Sequence, residues 1–177
     1  MIAVSLAWGA KYRAHVPAWR KAVEAWGLEA RVLELAGEPA IETEVWPLRP
    51  TLIAQALEES GQDILHLDID ARIEQEPSFA PAGFDLAAFS SRPGILEPGV
   101  SFWRQGEAAR RVLAAWRHYL DQGRNDGLAL GLAAIEQKAT VLQLPAEWCW
   151  AEQWGHKETY GNRKPVIRIL AGSSGGD

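Results

Sequence analysis

Strand and helix signals alternate through residues 1–70, and this order constrains the fold more than any other feature of the sequence. Short apolar runs predict buried strands, and apolar residues at helical spacing, closed by glycine, predict the helices between them. The predicted elements are strands at Ile2–Trp8, Ala30–Leu35 and Asp63–Leu67, helices at His15–Trp26 and Arg49–Ser60, and a turn at Gly9–Lys11. Such alternation is typical of a parallel sheet with helices on its faces, which binds ligands beyond the carboxyl ends of its strands.

The second half of the chain predicts shorter strands and two further helices. The clearest helix is Glu107–Asp121, and Asn125 can cap another over Asp126–Gln137. Strands are predicted before these helices at Asp85–Phe89 and Val100–Trp103, and after them at Thr140–Leu144 and Val166–Leu170. A long polar and aromatic excursion, Pro145–Pro165, separates the last two strands. We therefore expect an α/β fold with a mostly parallel, mixed sheet, in one domain over residues 1–170 with a flexible tail at 171–177.

Composition narrows the class of protein. Hydrophobic residues make up 47% of the 177 residues and the formal net charge is −5, which suits a globular chain and disfavours generic binding to nucleic-acid backbones. Cys149 is the only cysteine, so no disulfide can form within the chain, and a reducing, cytoplasmic setting is expected. The apolar start predicts a strand rather than a signal peptide, and no apolar run approaches the ~20 residues that span a bilayer.

The most informative stretch is the predicted third strand, which runs directly into Asp68-Ile69-Asp70. Because strand side chains alternate between two faces, Asp68 and Asp70 are expected to point the same way. Two neighbouring carboxylates repel unless a cation joins them, and oxygen ligands suit Mg²⁺ or Mn²⁺. The alternative is a solvated acidic turn at the end of a strand. The position at the ligand-binding edge of the predicted sheet favours the metal site.

Ile64–Asp70, followed by Arg72-Ile73 and Pro77, resembles the Asp-x-Asp motif of nucleotide-sugar glycosyltransferases with the GT-A fold. Other segments resemble the family in the same order along the chain. They are Leu6–Tyr12, Arg49-Pro50, Asp85–Ser91, Pro98–Phe102, Asn125–Leu130, and Leu144-Pro145 with Trp148. The likeness extends from Ile2 to about Trp150, and the nearest relatives are the glycogenin-like and related nucleotide-diphospho-sugar transferases.

The resemblance implies a GT-A-like, Rossmann-like fold and transfer of a sugar from a nucleoside diphosphate sugar to an acceptor. Acceptors in this superfamily include saccharides, lipids, proteins and modified nucleic acid. Asp68 and Asp70 would hold Mn²⁺ or Mg²⁺, and Asp126 would act on the acceptor side as general base or hydroxyl-orienting group. The residues expected to bind the nucleotide sugar are Ala7, Trp8, Tyr12, Arg49, Asp68, Gly99 and Val100.

The chain departs from the family at its C-terminal end. Many relatives carry His-x-x-Gly-x-x-Lys there, which supplies the third metal ligand and a lysine that holds the diphosphate. Residues 169–175 keep only the glycine of that motif. The alternative to the motif is His156 as third metal ligand, together with Lys157 and Lys164.

Two other functions fit parts of the same pattern. A non-catalytic module that binds nucleotide sugars would explain the missing C-terminal motif. A phosphatase of the haloacid dehalogenase type also uses Asp-x-Asp after an apolar strand, but it usually places the pair on its first strand and needs a later acidic pair, which we do not find after residue 85.

Overall fold

The computed structural model describes residues 1–37, 42–76, 83–151, 156–161 and 163–170. In chain order their strands and helices are β1 Ile2–Trp8, α1 Gly9–Arg13, α2 Val16–Glu24, β2 Glu29–Leu35, α3 Leu48–Ser60, β3 Ile64–Leu67, β4 Ala71–Ile73, β5 Leu86–Arg92, β6 Ile95–Trp103, α4 Glu107–Asp121, α5 Asp126–Glu136, β7 Val141–Leu144, β8 Trp150–Ala151, α6 His156–Tyr160 and β9 Ile167–Ile169. Pro77, the predicted tail 171–177 and Trp154, one of the tryptophans of the Pro145–Pro165 excursion, lie outside the described residues.

The central sheet has six strands in the order β2-β1-β3-β6-β5-β7. Neighbouring strands are parallel except that β6 runs antiparallel to both β3 and β5. The prediction of an α/β fold with a mostly parallel, mixed sheet is therefore confirmed. Strands β4, β9 and β8 form a second, smaller sheet, and β4 starts directly after Asp70.

Helices cover both faces of the central sheet, and the alternation of strand side chains divides the hydrophobic core between them. On β3, Ile64 packs in one buried cluster with Ile53 and Trp116, whereas Leu65 packs in the other with Trp19. Every residue of β1 is buried, as the apolar run at the start of the chain predicts.

The parallel register brings the ends of β1 and β3 to one edge of the sheet. Ile2 lies opposite Ile64 and Val4 opposite His66, so the residues after β3 lie level with the last residues of β1. The backbone amide of Asp68 continues the ladder by donating to the carbonyl of Gly99 on β6, at 2.8 Å. This edge is the place where the alternating pattern predicted the ligand site.

Two local predictions were wrong. The predicted turn at Gly9–Lys11 is the helix α1, which begins at once because Gly9 has φ 61° and redirects the chain at the end of β1. The strand predicted at Val100–Trp103 already begins at Ile95. Pro98 and Gly99 suggested a loop, but they lie in a bulge of β6, where proline is tolerated.

The long excursion at Pro145–Pro165 contains short elements of its own. Ala146–Cys149 forms a 3₁₀ turn, followed by β8 and then α6. Trp148 and Trp150 are buried, so they anchor this segment to the body of the protein. No helix within the described ranges combines the length and apolar character needed to cross a bilayer.

Helix α5 approaches the β5–β6 hairpin closely enough to require glycine. A Cβ atom at Gly131 would lie 2.0 Å from the carbonyl oxygen of Gly94, and one at Gly127 would lie 3.0 Å from the carbonyl oxygen of Leu96. Both carbonyls are backbone atoms, and at Gly127 the Cγ2 atom of Ile95 lies nearer still, at 2.9 Å, so a side chain at either position would push the helix away from the hairpin. These contacts fix the start of α5, which carries Asp126, against β6.

We expect Gly131→Ala to lower the free energy of unfolding by about 1–3 kcal/mol, because the cost of overpacking exceeds the gain in helix propensity. Urea denaturation followed by tryptophan fluorescence measures this change. Gly106→Ala is the matched control, since a Cβ there meets no atom within 4 Å, and it should cost less than about 1 kcal/mol. Equal stability of the two variants would contradict the close contact.

Candidate active site

Arg49 joins two carboxylates that are distant in sequence. It lies in the first turn of α3, where Nη2 donates to Oδ1 of Asp68 at 3.0 Å and Nη1 donates to Oδ2 of Asp126. The side chains are 13%, 22% and 8% exposed for Arg49, Asp68 and Asp126. One guanidinium therefore ties together α3, the end of β3 and the start of α5.

Asp126 is held from a second side by a tryptophan. Nε1 of Trp116 on α4 donates to Oδ1 of Asp126 at 3.1 Å, so both carboxylate oxygens accept hydrogen bonds. The Trp116 ring stacks on Trp103 with centroids 5.9 Å apart. Asn125 caps α5 as predicted, because its side chain accepts from the amide of Leu128.

Burial governs the electrostatics of the trio formed by Asp68, Arg49 and Asp126. Burial acts to lower the pKa of the Arg49 guanidinium, but Asp68 and Asp126 outweigh it, so the pKa is raised and the cation is retained. Burial raises the pKa of Asp126 above its ordinary value, and Arg49 acts in the opposite direction. A buried carboxylate is costly without a partner, so Asp126 depends on Arg49 for its charge.

Asp68 and Asp70 line one small cavity at the end of β3, with Leu6, Trp8, Tyr12, Arg49 and Ile69 as the other lining residues. The free volume is about 20 Å³, roughly the room for one water molecule. Asp70 is only 3% exposed. The amide of Leu170, next to β9, donates to the backbone carbonyl of Asp70 at 3.3 Å, so the smaller sheet fixes this turn.

The carboxylate of Asp68 leaves no room for a side chain at position 99. A Cβ atom at Gly99 would lie 2.6 Å from Oδ2 of Asp68. Any larger residue would displace this carboxylate, and with it the contact to Arg49. Val100 is buried in the core and pairs with Leu67 across the β3–β6 ladder.

The aromatic residues predicted to bind a base lie at the end of β1. The rings of Trp8 and Tyr12 are tilted by 37° with centroids 4.2 Å apart, and both line the small cavity. Ala7 is fully buried in the core next to Trp8. The structure therefore brings Trp8, Tyr12, Arg49 and Asp68 to one cavity, whereas Ala7 and Val100 support it from within the core.

His66 supports the site from inside the sheet. It is fully buried on β3, and Nδ1 donates to the carbonyl of Pro98 at 2.9 Å, because a carbonyl can only accept. Burial lowers its pKa to about 4, and Arg49 also lowers it while Asp68 acts against the shift. His66 is therefore neutral at neutral pH and fixes the bulge of β6 beside Asp68.

His156 does not join the acidic pair. It lines a different cavity, between the β5–β6 hairpin and α6, where its Nδ1 accepts from the amide of Ala151 at 3.3 Å. Within the part of the chain that the structure describes, no group of three His, Cys, Asp or Glu side chains is placed to hold a metal ion. Its role as third ligand stays a prediction.

Sequence reasoning missed the part that Trp116 plays. Its helical spacing predicts a core residue, which it is, with no exposed surface. That pattern gives no information about the indole N–H, whose partner Asp126 begins the next helix. A buried tryptophan usually finds an acceptor, and this general tendency is the only signal that could have indicated the contact.

We expect Arg49→Met to lower the free energy of unfolding by about 3–5 kcal/mol, because it leaves the carboxylate of Asp126 buried without its cation. The double variant Arg49→Met, Asp126→Asn should recover most of that loss, since the charge is removed. Urea denaturation at neutral pH measures both variants. A loss below about 1 kcal/mol in the single variant would show that the contact is solvent-screened.

Comparison with known proteins identifies the fold. No family model matches the chain, and no curated protein sequence does. One solved structure that is similar is described as a glycosyltransferase involved in the glycosylation of the major capsid of PBCV-1. The two align with a TM-score of 0.68 and 13% sequence identity, over 98% of this chain and 95% of that one. The chain therefore has the GT-A-like glycosyltransferase fold that the order of its motifs predicts.

Proposed function

We propose that this protein is a glycosyltransferase that moves a sugar from a nucleoside diphosphate sugar to an acceptor. The observation that carries the proposal is the Asp68–Arg49–Asp126 trio beside Asp70, at the carboxyl ends of β1 and β3 of a glycosyltransferase fold. This is the edge where open α/β sheets bind ligands. Arg49 contributes a positive charge of low exposure, and a fixed positive charge is what stabilising a departing diphosphate requires.

The residues in and around the small cavity at the end of β3 suit a nucleotide-sugar donor. Trp8 and Tyr12 offer aromatic surface to the nucleotide base, and Ala7 supplies backbone at the end of β1. Gly99 adjoins Asp68 and would face the sugar, with Val100 behind it in the core. The small free volume means that the side chains must part to admit a nucleotide sugar, and Arg49 would exchange a contact with Asp68 for one with the donor.

The acidic pair fits a divalent cation. Mg²⁺ takes one or two carboxylates from a protein and completes its shell with water and substrate phosphates, so Asp68 and Asp70 suffice without a third protein ligand. When bound, Mn²⁺ or Mg²⁺ would neutralise charge on the diphosphate. Arg49 adds a second, permanent positive charge at the same edge.

The reaction is a substitution at the anomeric carbon of the donor sugar. The acceptor hydroxyl oxygen forms a bond to that carbon, the bond to the diphosphate oxygen breaks, and its electron pair leaves with the nucleoside diphosphate. The hydroxyl proton is released. Asp126 remains the candidate for the acceptor side, and its contacts with Arg49 and Trp116 favour a positioning role.

A non-catalytic nucleotide-sugar-binding module is the second candidate. It is favoured by the departure from His-x-x-Gly-x-x-Lys at residues 169–175, which removes the lysine that holds the diphosphate in many relatives. Release of free sugar from a bound donor, measured over hours, separates the two functions. A haloacid-dehalogenase-type phosphatase has less support, because the acidic pair follows β3 and not the first strand.

We expect Asp68→Asn, Asp70→Asn to reduce metal-dependent binding of the donor by at least about tenfold, because neutral amides are weaker ligands for a hard cation. Calorimetry with UDP-glucose, UDP-galactose, UDP-N-acetylglucosamine, GDP-mannose and GDP-fucose, with and without Mn²⁺, measures this. The control is Asp121→Asn, an exposed carboxylate on α4. The proposal is rejected if the wild-type protein binds none of these donors, or if the double variant binds them equally well.

A further inference from the structure

A second cavity, of about 580 Å³, lies between the β5–β6 hairpin, the start of α5 and α6. Its size is within the ~300–1,000 Å³ range of small-molecule sites. Six of its lining residues carry the argument: Phe89, Glu97, Asn125, His156, Thr159 and Tyr160. Of these, His156 was predicted as an alternative third metal ligand, and none of the others was predicted to bind the donor.

The cavity adjoins the donor site along two parts of the chain. Glu97 is two residues before Gly99, which touches Asp68, so the Cα atoms of Glu97 and Gly99 are at most about 7 Å apart. Asn125 immediately precedes Asp126, which binds Arg49. The bulge of β6 and the start of α5 therefore each place a lining residue of this cavity next to a residue that contacts the acidic site.

Charges from both sites act on one buried sulfur. Burial raises the pKa of the Cys149 thiol, and the carboxylates of Glu97 and Asp68 both raise it further. Glu97 and Asp68 thus lie within electrostatic range of the same buried atom.

One wall of the second cavity is a rigid aromatic cluster. The His156 ring makes edge contacts with Phe89 and Tyr160, in each case with centroids 5.4 Å apart. The amide of Ala151 donates to Nδ1 of His156, which fixes the orientation of the imidazole and keeps that nitrogen an acceptor. Such a wall presents C–H and ring faces to the ligand without adding charge.

Polar groups lie beside this wall. Glu97 is partly exposed, and the hydroxyl of Ser91 donates to its carboxylate. Thr159 and Asn125 are exposed at the rim. A carboxylate and neutral polar groups next to aromatic surface suit a molecule with many hydroxyls, because the carboxylate accepts hydrogen bonds from them. Arg92 also lines the cavity, so Arg92 and Glu97 contribute one positive and one negative charge, and the pair offers no net charge to attract an ionic ligand.

We infer that this second cavity binds the acceptor of the transfer reaction, and that the acceptor is a neutral saccharide. The inference rests on the proposed function, since it takes this cavity, beside the donor site, as the place from which the acceptor hydroxyl attacks. That hydroxyl bonds to the anomeric carbon, the nucleoside diphosphate leaves with the electron pair, and the hydroxyl proton is released.

The test measures saccharide binding and donor binding separately on the same proteins. The saccharide probes are methyl glycosides of galactose, glucose, mannose, xylose and fucose, together with lactose and maltose, followed by saturation-transfer NMR without donor. Glu97→Gln removes the charge at constant size. Thr159→Trp fills the cavity from an exposed position that should not disturb folding. Glu58→Gln, an exposed carboxylate on α3 away from this cavity, is the matched control.

We expect at least one saccharide to bind the wild-type protein, and its affinity to fall at least about tenfold in both cavity variants. Glu58→Gln should stay within about twofold, and calorimetric donor affinity should be unchanged in all three variants. The inference is overturned if no saccharide binds, or if both cavity variants bind it as the control does. Saccharide binding without binding of any nucleotide sugar would instead overturn the proposed function, and with it the role of this saccharide as acceptor.

Discussion

The ion pairs of Arg49 are the interaction on which the rest of the site depends. A guanidinium that is 13% exposed needs carboxylate partners, and Asp68 and Asp126 come from the end of a strand and the start of a helix. Satisfying one cation therefore fixes three elements relative to each other. The surrounding packing reinforces this geometry, since Gly99 admits the carboxylate of Asp68 and the glycines of α5 let that helix approach β6.

Much of the fold could be predicted because its signals are local. Helix α4 has the predicted bounds Glu107–Asp121, since an apolar stripe and a following glycine define it within a few turns. The strand β1 likewise follows directly from one apolar run. Register and bulges depend on the partner strand, which is why the start of β6 at Ile95 was missed.

The site was predictable only in part, for the same reason. Asp68 and Asp70 share a cavity because the sheet topology places the end of β3 there and the turn after Leu67, closed by the amide of Ala71 donating to the carbonyl of Asp68, brings both residues to it. The contact of Arg49 with Asp126 joins residues 77 positions apart in the sequence. Helical and strand periodicity relate only residues that are a few positions apart, so they cannot predict this contact. The family resemblance named both residues but not their contact. The aromatic cavity around His156 was also beyond the reach of sequence patterns, because it is formed by three separate elements.

The small sheet beside the acidic pair has a practical consequence for handling the protein. Strand β9 pairs with β4 directly after Asp70, and the amide of Leu170 donates to the carbonyl of Asp70 itself, so residue 170 lies at the rim of the site. The amino group of Met1 lies instead beside Gln62, at the opposite edge of the central sheet, about the length of β1 away. An affinity label or a surface anchor is therefore better attached ahead of Met1, where it leaves both cavities accessible.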